Sequence, residues 1–414
     1  MAQRFRTLAV TALTLSLIAC SSDSDPGGNT GGASGSGGVG GTAGNPSGGS
    51  AGSSASGGSS NGGTANGGNT NGGTANGGSG NAGNGGSSSG GTAGGAGTSA
   101  GGSAGSGPQQ DTFYTSDGKI YDPCGEEFVM RGVNHPTMYV DRAGAALPEI
   151  AKTGANAVRL FWFGTHGVAI NEAESAVQAA VDNQMVPILE LHDSTCQWNL
   201  GDIQSYWTSS DAVSFIQKHQ AHLIVNIANE ASSPNDNAFA SSYSSIVQAM
   251  RSAGIHVPLM IDAGRCGRDY QVLLDKGAEL MNADPDHNLI FSAHLYDPLT
   301  RTQLAKLMDD FQAAKLPFII GEFANREPPG CGATLDYGGL ITEANTRGIG
   351  WLAWSWGDND PNKRWNGDCA EFDMTETFAY DSLFGWGKEV AVSLPASIQN
   401  TSVRSSWVQS GTCN

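Results

Sequence analysis

The chain has 414 residues, and 36 of its 60 glycines lie between residues 26 and 108. That segment contains no charged and no aromatic residue, so it cannot bury enough apolar surface to offset the entropy lost on folding. The rest, residues 109–414, has the size of one large α/β domain. It carries the whole formal charge of −18, which disfavours nucleic acid and anionic lipid as partners of the domain.

The first twenty residues are typical of an export signal. Two arginines precede an apolar stretch, residues 8–19, that is too short to span a bilayer as a permanent helix. The stretch ends in LIAC (17–20), which resembles a bacterial lipoprotein signal, and serines rather than Asp follow the cysteine, as in proteins sorted to the outer membrane. We expect a signal peptide over residues 1–19 and acylation of Cys20. The product would be an outer-membrane lipoprotein, at the cell surface or in the periplasm, or a secreted protein if Cys20 is not acylated.

Residues 20–108 are predicted to form a flexible, disordered linker. From residue 26 onwards they are almost entirely Gly, Ser, Thr, Asn and Ala, with a ten-residue near-repeat at 61–70 and 71–80. This composition is too polar for a solenoid core. The segment is either a tether, with a span of roughly 50 Å for a flexible coil, or neutral low-complexity sequence.

The remainder of the chain alternates short apolar runs with amphipathic stretches. It opens with a hairpin pattern at residues 112–122, where Asp117-Gly118 can form a tight turn. Helical stretches such as residues 171–184 carry Ala and Val at helical spacing. Eight apolar runs of strand length occur at residues 128–134, 156–162, 186–192, 222–230, 257–263, 288–296, 317–323 and 349–356.

Eight β/α units predict a single (β/α)₈ TIM barrel over residues 109–414, with a small N-terminal β-hairpin. The runs are apolar on both faces, as buried parallel strands are. A doubly wound open sheet is the alternative, but it usually has fewer strands, and no glycine-rich phosphate loop follows the first run.

Polar and aromatic residues end each predicted strand, and the barrel would bring them to one face. They are Asn134 and His135, Arg159, His192 and Asp193, Asn229 and Glu230, Asp262, His294 and Tyr296, Glu322, and Trp354 and Trp356. The carboxylic acids Glu230 and Glu322 end the fourth and seventh strands. Two such groups suit cleavage of a glycosidic bond, in which one protonates the leaving oxygen and the other attacks the anomeric carbon. A purely structural pairing of both acids with arginines is the alternative.

Six motifs together resemble glycoside hydrolase family 5, and the resemblance covers residues 111–396. They are VR (158–159), ELHD (190–193), NIANE (226–230), HLY (294–296), GEF (321–323) and WSW (354–356). The resemblance implies a retaining enzyme without a cofactor, with Glu230 as acid/base and Glu322 as nucleophile. The acid/base would need a pKa raised towards about 6–7.

The same resemblance implies roles for the surrounding residues. Arg159 and Tyr296 would hydrogen-bond Glu322 and lower its pKa. The expected substrate-binding and supporting residues are Arg159, His192, Asn229, His294, Tyr296, Trp354, Trp356, Asn134 and Trp198. Within this set the resemblance assigns the sugar 2-hydroxyl to Asn229, the walls of the cleavage subsite to the two histidines, and its floor to Trp354. Core packing is the alternative for either histidine and for Trp354.

Within the family, the sequence resembles bacterial endo-β-1,4-mannanases. The matching segments are MRGVNH (130–135), ALPEIAKTGANAVRL (146–160), ILELHD (188–193), ADPDHNLIFSAHLYD (283–297), PFIIGEF (317–323) and RGIGWLAWSW (347–356). Three departures lie in cleft loops: Ala231 where proline is usual, Cys266 where those mannanases have tryptophan, and Asp297 where a small residue is expected. The predicted substrate is a β-1,4-linked polysaccharide: mannan, glucomannan or galactomannan. An endo-β-1,4-glucanase is the alternative on the same scaffold, and a surface lipoprotein that binds polysaccharide without cleaving it is the alternative of another class.

Four tryptophans are expected to be exposed near the strand ends and to stack on sugar rings: Trp162, Trp198, Trp356 and Trp365. Loop packing is the alternative for each. Residues 358–360, DND, resemble only a fragment of a calcium loop, so we interpret them as a turn and predict no metal.

Seven cysteines agree with export. With Cys20 assigned to lipid, six remain, and three disulfides among them have fifteen connectivities. Placement in the barrel reduces the number of plausible connectivities. One pair lies in the entry hairpin and at the C-terminus, one pair follows the third and fifth strands, and one pair follows the seventh and eighth. The expected pairs are Cys124–Cys413, Cys196–Cys266 and Cys331–Cys369. A monomer is expected.

Overall fold

The computed structural model describes residues 110–164, 167–328, 330–357 and 369–413. The predicted signal peptide, Cys20 and the linker lie outside these residues, as do residues 358–360 and Trp365. Among the described residues, no helix is long and apolar enough to cross a membrane.

Eight parallel strands close into a barrel, which confirms the predicted fold. The strands, after the hairpin β1 (Tyr114–Ser116) and β2 (Lys119–Tyr121), are β3 (Arg131–His135), β4 (Ala157–Trp162), β5 (Val186–Leu191), β6 (Ile224–Asn226), β7 (Leu259–Asp262), β8 (Leu289–His294), β9 (Phe318–Glu322) and β10 (Gly350–Ala353). Each pairs with its neighbours in chain order, and β10 closes the ring against β3.

Helices follow the strands and cover the outside of the barrel. They are α1 (Thr137–Val140), α2 (Leu147–Ala151), α3 (Glu174–Asp182), α4 (Leu200–Trp207), α5 (Ser210–His219), α6 (Asp236–Ser252), α7 (Gly264–Gly267), α8 (Tyr270–Ala283), α9 (Arg301–Ala313), α10 (Tyr337–Thr346), α11 (Gly385–Lys388), α12 (Ile398–Thr401) and α13 (Ser406–Ser410). Short 3₁₀ turns cover Ile170–Ala173, His192–Ser194, Ala370–Phe372 and Tyr380–Ser382, and a π turn covers Glu389–Ser393.

The predicted hairpin is present and lies at the amino-terminal end of the barrel. Asp117 and Gly118 both have positive φ, 50° and 80°, as the tight turn between two adjacent strands requires. Phe113 and Ile120 are buried and pack in one cluster with side chains of the barrel interior. The hairpin therefore seals the end opposite the predicted site.

The barrel interior is layered because side chains alternate along each strand. A lower layer is apolar, with Ala157, Ile188, Ile224, Met260, Ile290, Ile319 and Leu352 in one buried cluster. Two residues further along, the same faces of the strands carry polar groups, as in the pairs Ala157–Arg159 and Ile188–Glu190. The apolar layer thus forms a floor under a polar layer, and a second, larger core packs the strands against the helices.

The three predicted disulfides are confirmed: Cys124–Cys413, Cys196–Cys266 and Cys331–Cys369. The first spans 289 residues and joins the hairpin region to the C-terminus. The second joins the loops that follow β5 and β7, and the third joins those that follow β9 and β10. Two of the three therefore brace the face that carries the strand ends.

Candidate active site

Arg159 on β4 lies at the centre of the polar layer and is fully buried. Its Nη1 donates to Glu322 Oε1 at 2.6 Å, and its Nη2 lies 3.2 Å from Asp262 Oδ2 and 3.3 Å from Glu190 Oε2. Its remaining contacts are with three amide oxygens, those of Asn134, Asn226 and Asn229. Every N–H direction of the guanidinium is used, so Arg159 fixes the polar layer as one unit.

Glu230 and Glu322 lie side by side above this layer. Glu322 ends β9, and Glu230 lies four residues beyond the end of β6, which is shorter than the predicted strand. One carboxyl oxygen of each, together with a ring nitrogen of His294, lies within 4.8 Å of the others. Glu322 also accepts a hydrogen bond from Tyr296 Oη at 2.8 Å. This close approach of the two carboxyl oxygens favours the short spacing of retaining glycosidases, about 5–5.5 Å between carboxyl groups, over the roughly 6.5–9.5 Å of inverting ones.

His294 connects the two acids. The register of β8 against β9 shifts between Ala293 and His294, so His294 pairs directly with Glu322. Its Nδ1 lies 2.7 Å from Glu230 Oε1 and 3.4 Å from Glu322 Oε2, while Nε2 lies 3.4 Å from Asp262 Oδ2. Burial favours the neutral ring, but Glu322, Asp262 and Glu230 outweigh it and raise the pKa of His294 to about 9.

The pKa of Glu322 departs from the expectation that its donors would lower it. Burial raises this pKa to about 7, although His294 and Arg159 favour the ionised form, and the nearby carboxyl group of Glu230 adds to the rise. The prediction was wrong because a motif shows the donors but not the depth of burial, and Glu322 is only 2% exposed.

An aromatic wall flanks the acids. Phe161 stacks between His192 and Trp354, with ring centroids 4.7 Å and 4.8 Å away. Trp354 is partly exposed, as a surface that contacts a sugar ring must be. His192 donates or accepts a hydrogen bond with Glu190 at 2.7 Å, which fixes its ring in the wall.

Two of the predicted exposed tryptophans are buried, which corrects their assignment. Trp162 and Trp356 are 0% exposed, and Trp356 Nε1 donates to the carbonyl of Phe378 at 2.9 Å. Both pack in the core between the strands and the helices. Alternation along β4 turns Trp162 away from the barrel axis, whereas Trp356 lies three residues beyond the end of β10. Trp198 is partly buried against the outer core.

Several residues of the polar layer were not assigned roles from the sequence. Glu190, Asn226 and Asp262 are buried and contact Arg159, and Thr195 Oγ1 accepts from Asn229 Nδ2 at 2.8 Å. The signal for the strand residues is their period of two: Glu190 lies two positions before His192 on the same face. Thr195 lies in a loop and has no such signal. Asn134 is likewise fully buried, and its amide donates to the carbonyl of Gly321.

Glu230, His294 and Glu322 are also the described side chains whose spacing could hold a metal ion. Glu230 Oε1 and His294 Nδ1 contact each other, and the two oxygens of Glu322 accept from Arg159 and Tyr296. The cluster is thus accounted for as a hydrogen-bonded carboxyl pair, and we assign no metal to it.

A closed (β/α)₈ barrel with two adjacent carboxyl groups at the ends of its fourth and seventh strands defines the class of retaining glycosidases. Comparison with known proteins makes this specific. The family model described as "Cellulase (glycosyl hydrolase family 5)" matches residues 121–360. The chain belongs to glycosyl hydrolase family 5.

Relatives agree with this assignment. A mannan endo-1,4-beta-mannosidase of Salipaludibacillus agaradhaerens is 32% identical over 67% of this chain and 90% of that protein. Another, of Cellvibrio japonicus, is 30% identical over 70% of this chain and 68% of that protein. The solved structure of a beta-mannanase from Streptomyces thermolilacinus with mannohexaose is 28% identical, covers 72% of this chain and 98% of its own, and superposes with a TM-score of 0.64.

Proposed function

We propose that this protein hydrolyses internal β-1,4-mannosidic bonds of mannan, glucomannan or galactomannan with retention of configuration. The observation that carries the proposal is the carboxyl pair: Glu230 and Glu322 lie within 4.8 Å at the mouth of the barrel. The relatives named as mannanases cover two thirds or more of the chain, which supports mannan as the substrate.

Glu322 acts as the nucleophile in the first step. Arg159 and Tyr296 place two donors on its carboxylate, which stabilise the anion and orient it towards the anomeric carbon. Glu230, which contacts His294 Nδ1, acts as the acid of the pair and supplies the proton of the first step. From there it passes to the glycosidic oxygen as the bond breaks and Glu322 forms the glycosyl ester.

Glu230 acts as a base in the second step. The leaving sugar has departed, and Glu230 is now ionised beside the ester carbon. It takes a proton from an incoming water, which attacks the anomeric carbon and releases Glu322. Asn229 holds the sugar 2-hydroxyl through its amide, whose orientation is fixed by Arg159 at 2.7 Å and Thr195 at 2.8 Å.

Reducing-sugar release by the full chain from glucomannan, galactomannan and carboxymethylcellulose tests the substrate. Release from both mannans that vanishes in Glu322→Ala, but survives in the surface control Glu279→Ala on α8, supports the proposal. Release only from carboxymethylcellulose would identify a glucanase, which the name of the family model also allows. Binding without any release would identify a carbohydrate-binding protein.

Azide separates the two carboxyl roles. In Glu322→Ala, azide replaces the nucleophile in a single displacement, so an activated aryl β-mannoside should give an α-glycosyl azide. In Glu230→Ala, azide attacks the intact glycosyl ester and should give the β product. The same anomer from both variants would contradict the assignment.

We also propose that Cys20 is acylated and that the linker tethers the domain to the outer membrane. The support is the LIAC pattern at residues 17–20 and the composition of the following residues. Labelled palmitate should enter the wild-type chain and not Cys20→Ala. Incorporation into Cys20→Ala, or release of the wild-type chain into the medium, would refute the anchor.

A further inference from the structure

The loops joined by the Cys196–Cys266 disulfide meet at Glu230. The backbone N–H of Cys196 donates to the carbonyl of Glu230 at 3.2 Å, and the carbonyl of Gln197 accepts from the N–H of Ser232 at 2.9 Å. The loop after β5 therefore runs along the segment that carries Glu230 and binds its carbonyl and the N–H two residues later. On the other side of the residue, Asp262 Oδ2 accepts from the Glu230 N–H at 3.3 Å.

The second loop reaches the side chain of Glu230 through His294. Gly267, next to Cys266, has φ +75°, and a Cβ built on it would lie 2.7 Å from Cγ and Nδ1 of the His294 ring. That Nδ1 is the atom that contacts Glu230 Oε1 at 2.7 Å. The glycine backbone is thus packed directly against the group that orients the carboxyl.

The backbone in this region is held in an unfavourable conformation. Cys196, Glu230, Arg265 and Cys266 all have positive φ, between 48° and 57°, which residues with a Cβ seldom adopt. Such conformations persist only where the surroundings over-determine them. A covalent bond between the two loops, with Cα atoms 4.5 Å apart, supplies that constraint.

We propose that the Cys196–Cys266 disulfide positions the acid/base. The loop of Cys196 fixes the backbone of Glu230, and the loop of Cys266 fixes the His294 ring that orients its carboxyl group. This inference rests on the proposed role of Glu230. Its consequence is selective. Loss of the disulfide should displace the proton donor more than the nucleophile, because Arg159 and Tyr296 hold Glu322 directly and His294 lies farther from Glu322, at 3.4 Å, than from Glu230, at 2.7 Å.

The test compares two substrates that differ in their need for a proton, and the change in their ratio between variants is the readout. Mannopentaose requires protonation of its leaving oxygen, whereas 2,4-dinitrophenyl β-mannobioside carries a leaving group stable enough to depart without it. Because kcat/KM reports the steps up to formation of the glycosyl ester, its ratio for the two substrates isolates the acid. Glu230→Ala provides the reference and should lose about 10²–10⁴-fold on mannopentaose alone.

In the full chain, Cys196→Ser/Cys266→Ser should lose about 10- to 100-fold in kcat/KM on mannopentaose, as expected for a catalytic group misplaced by about 1 Å. Its kcat/KM on the aryl substrate should stay within about threefold of the wild-type value. Cys124→Ser/Cys413→Ser is the matched control, and a lower melting temperature with an unchanged substrate ratio is expected of it. Gly267→Ala leaves all disulfides intact and should shift the ratio in the same direction, which guards against a double variant that fails to fold.

An equal loss on both substrates in Cys196→Ser/Cys266→Ser and in Gly267→Ala would overturn the inference, because a less folded enzyme loses both activities together. A wild-type ratio in both variants would overturn it as well. If Glu230→Ala itself lacks the selective loss, the proposed role of Glu230 fails, and the positioning role fails with it.

Discussion

Replacement of Arg159 by methionine tests whether the polar layer is held by one cation. The change keeps the apolar stem and leaves three buried carboxylates, those of Glu190, Asp262 and Glu322, without the guanidinium that lies 2.6–3.3 Å from them. Loss of one partner of a buried ion pair costs about 3–5 kcal/mol. At roughly 2–4 °C per kcal/mol for a domain of this size, the melting temperature should fall by roughly 6–20 °C.

The loss should also depend on pH, with a sign set by Glu322. Its pKa is about 7, and Arg159 holds it lower than burial alone would, so Arg159→Met moves it higher. A carboxyl pKa raised in the folded state makes stability fall as pH rises, up to that pKa. In the wild type, Glu322 stops reducing the free energy of unfolding near pH 7. In the variant the reduction continues up to the higher pKa, so the difference in stability between variant and wild type should be larger at pH 8 than at pH 6.

Calorimetry at the two pH values and the pH profile of kcat/KM provide the assay. Arg251→Met is the matched control, because Arg251 is also buried and pairs with Asp284 at 2.8 Å, away from the carboxyl pair. Both variants should be destabilised, but only Arg159→Met should move the acid limb of activity above pH 7. A folded Arg159→Met enzyme with the wild-type acid limb would refute the reasoning.

Three further changes have separate readouts. His294→Gln should remove an alkaline limb near pH 9 and move the acid limb upward, because His294 lowers the pKa of Glu322. Cys124→Ser/Cys413→Ser opens a loop of 289 residues and should cost about 2–5 kcal/mol in unfolding experiments, with kcat unchanged. Trp354→Ala removes the ring stacked on Phe161 at 4.8 Å and should reduce kcat/KM on mannooligosaccharides.

Each of these outcomes can fail in a recognisable way. An unchanged alkaline limb in His294→Gln would mean that another group titrates there. A fall in kcat for the control disulfide variant would connect the closed end of the barrel to catalysis. Equal kcat/KM values for wild type and Trp354→Ala would mean that the ring packs the wall without contacting sugar.

The catalytic acids could be predicted because the carboxyl-terminal ends of all the strands of a parallel barrel lie at the same face. An apolar run that ends in Glu, as at Glu322, can point that group only to the mouth once the fold is a closed parallel barrel. The contact between Arg159 and Glu322 was implied by the family resemblance. The disulfides were predictable for a related reason: loops on one end of a barrel lie near one another, and the chain ends meet at the other.

Burial was harder to predict than position. Trp162 and Trp356 stand at strand ends like Trp354, yet they are fully buried and Trp354 is not. Strand alternation accounts for Trp162 on β4, but Trp354 and Trp356 lie two residues apart beyond the end of β10, where the path of the loop and not the strand period decides which ring is exposed. The pKa of Glu322 has the same origin, since its donors are visible as sequence motifs and its desolvation is a property of the assembled site.

The three sequence departures from mannanases prove to be neighbours. Ala231 directly follows Glu230 and is buried, Cys266 is bonded to the loop that holds Glu230, and Asp297 pairs with Arg268, two residues beyond Cys266. Changes that are coupled through shared contacts need not add. Their effect on substrate preference should therefore be measured with the three positions changed singly and together, so that any coupling between them is detected.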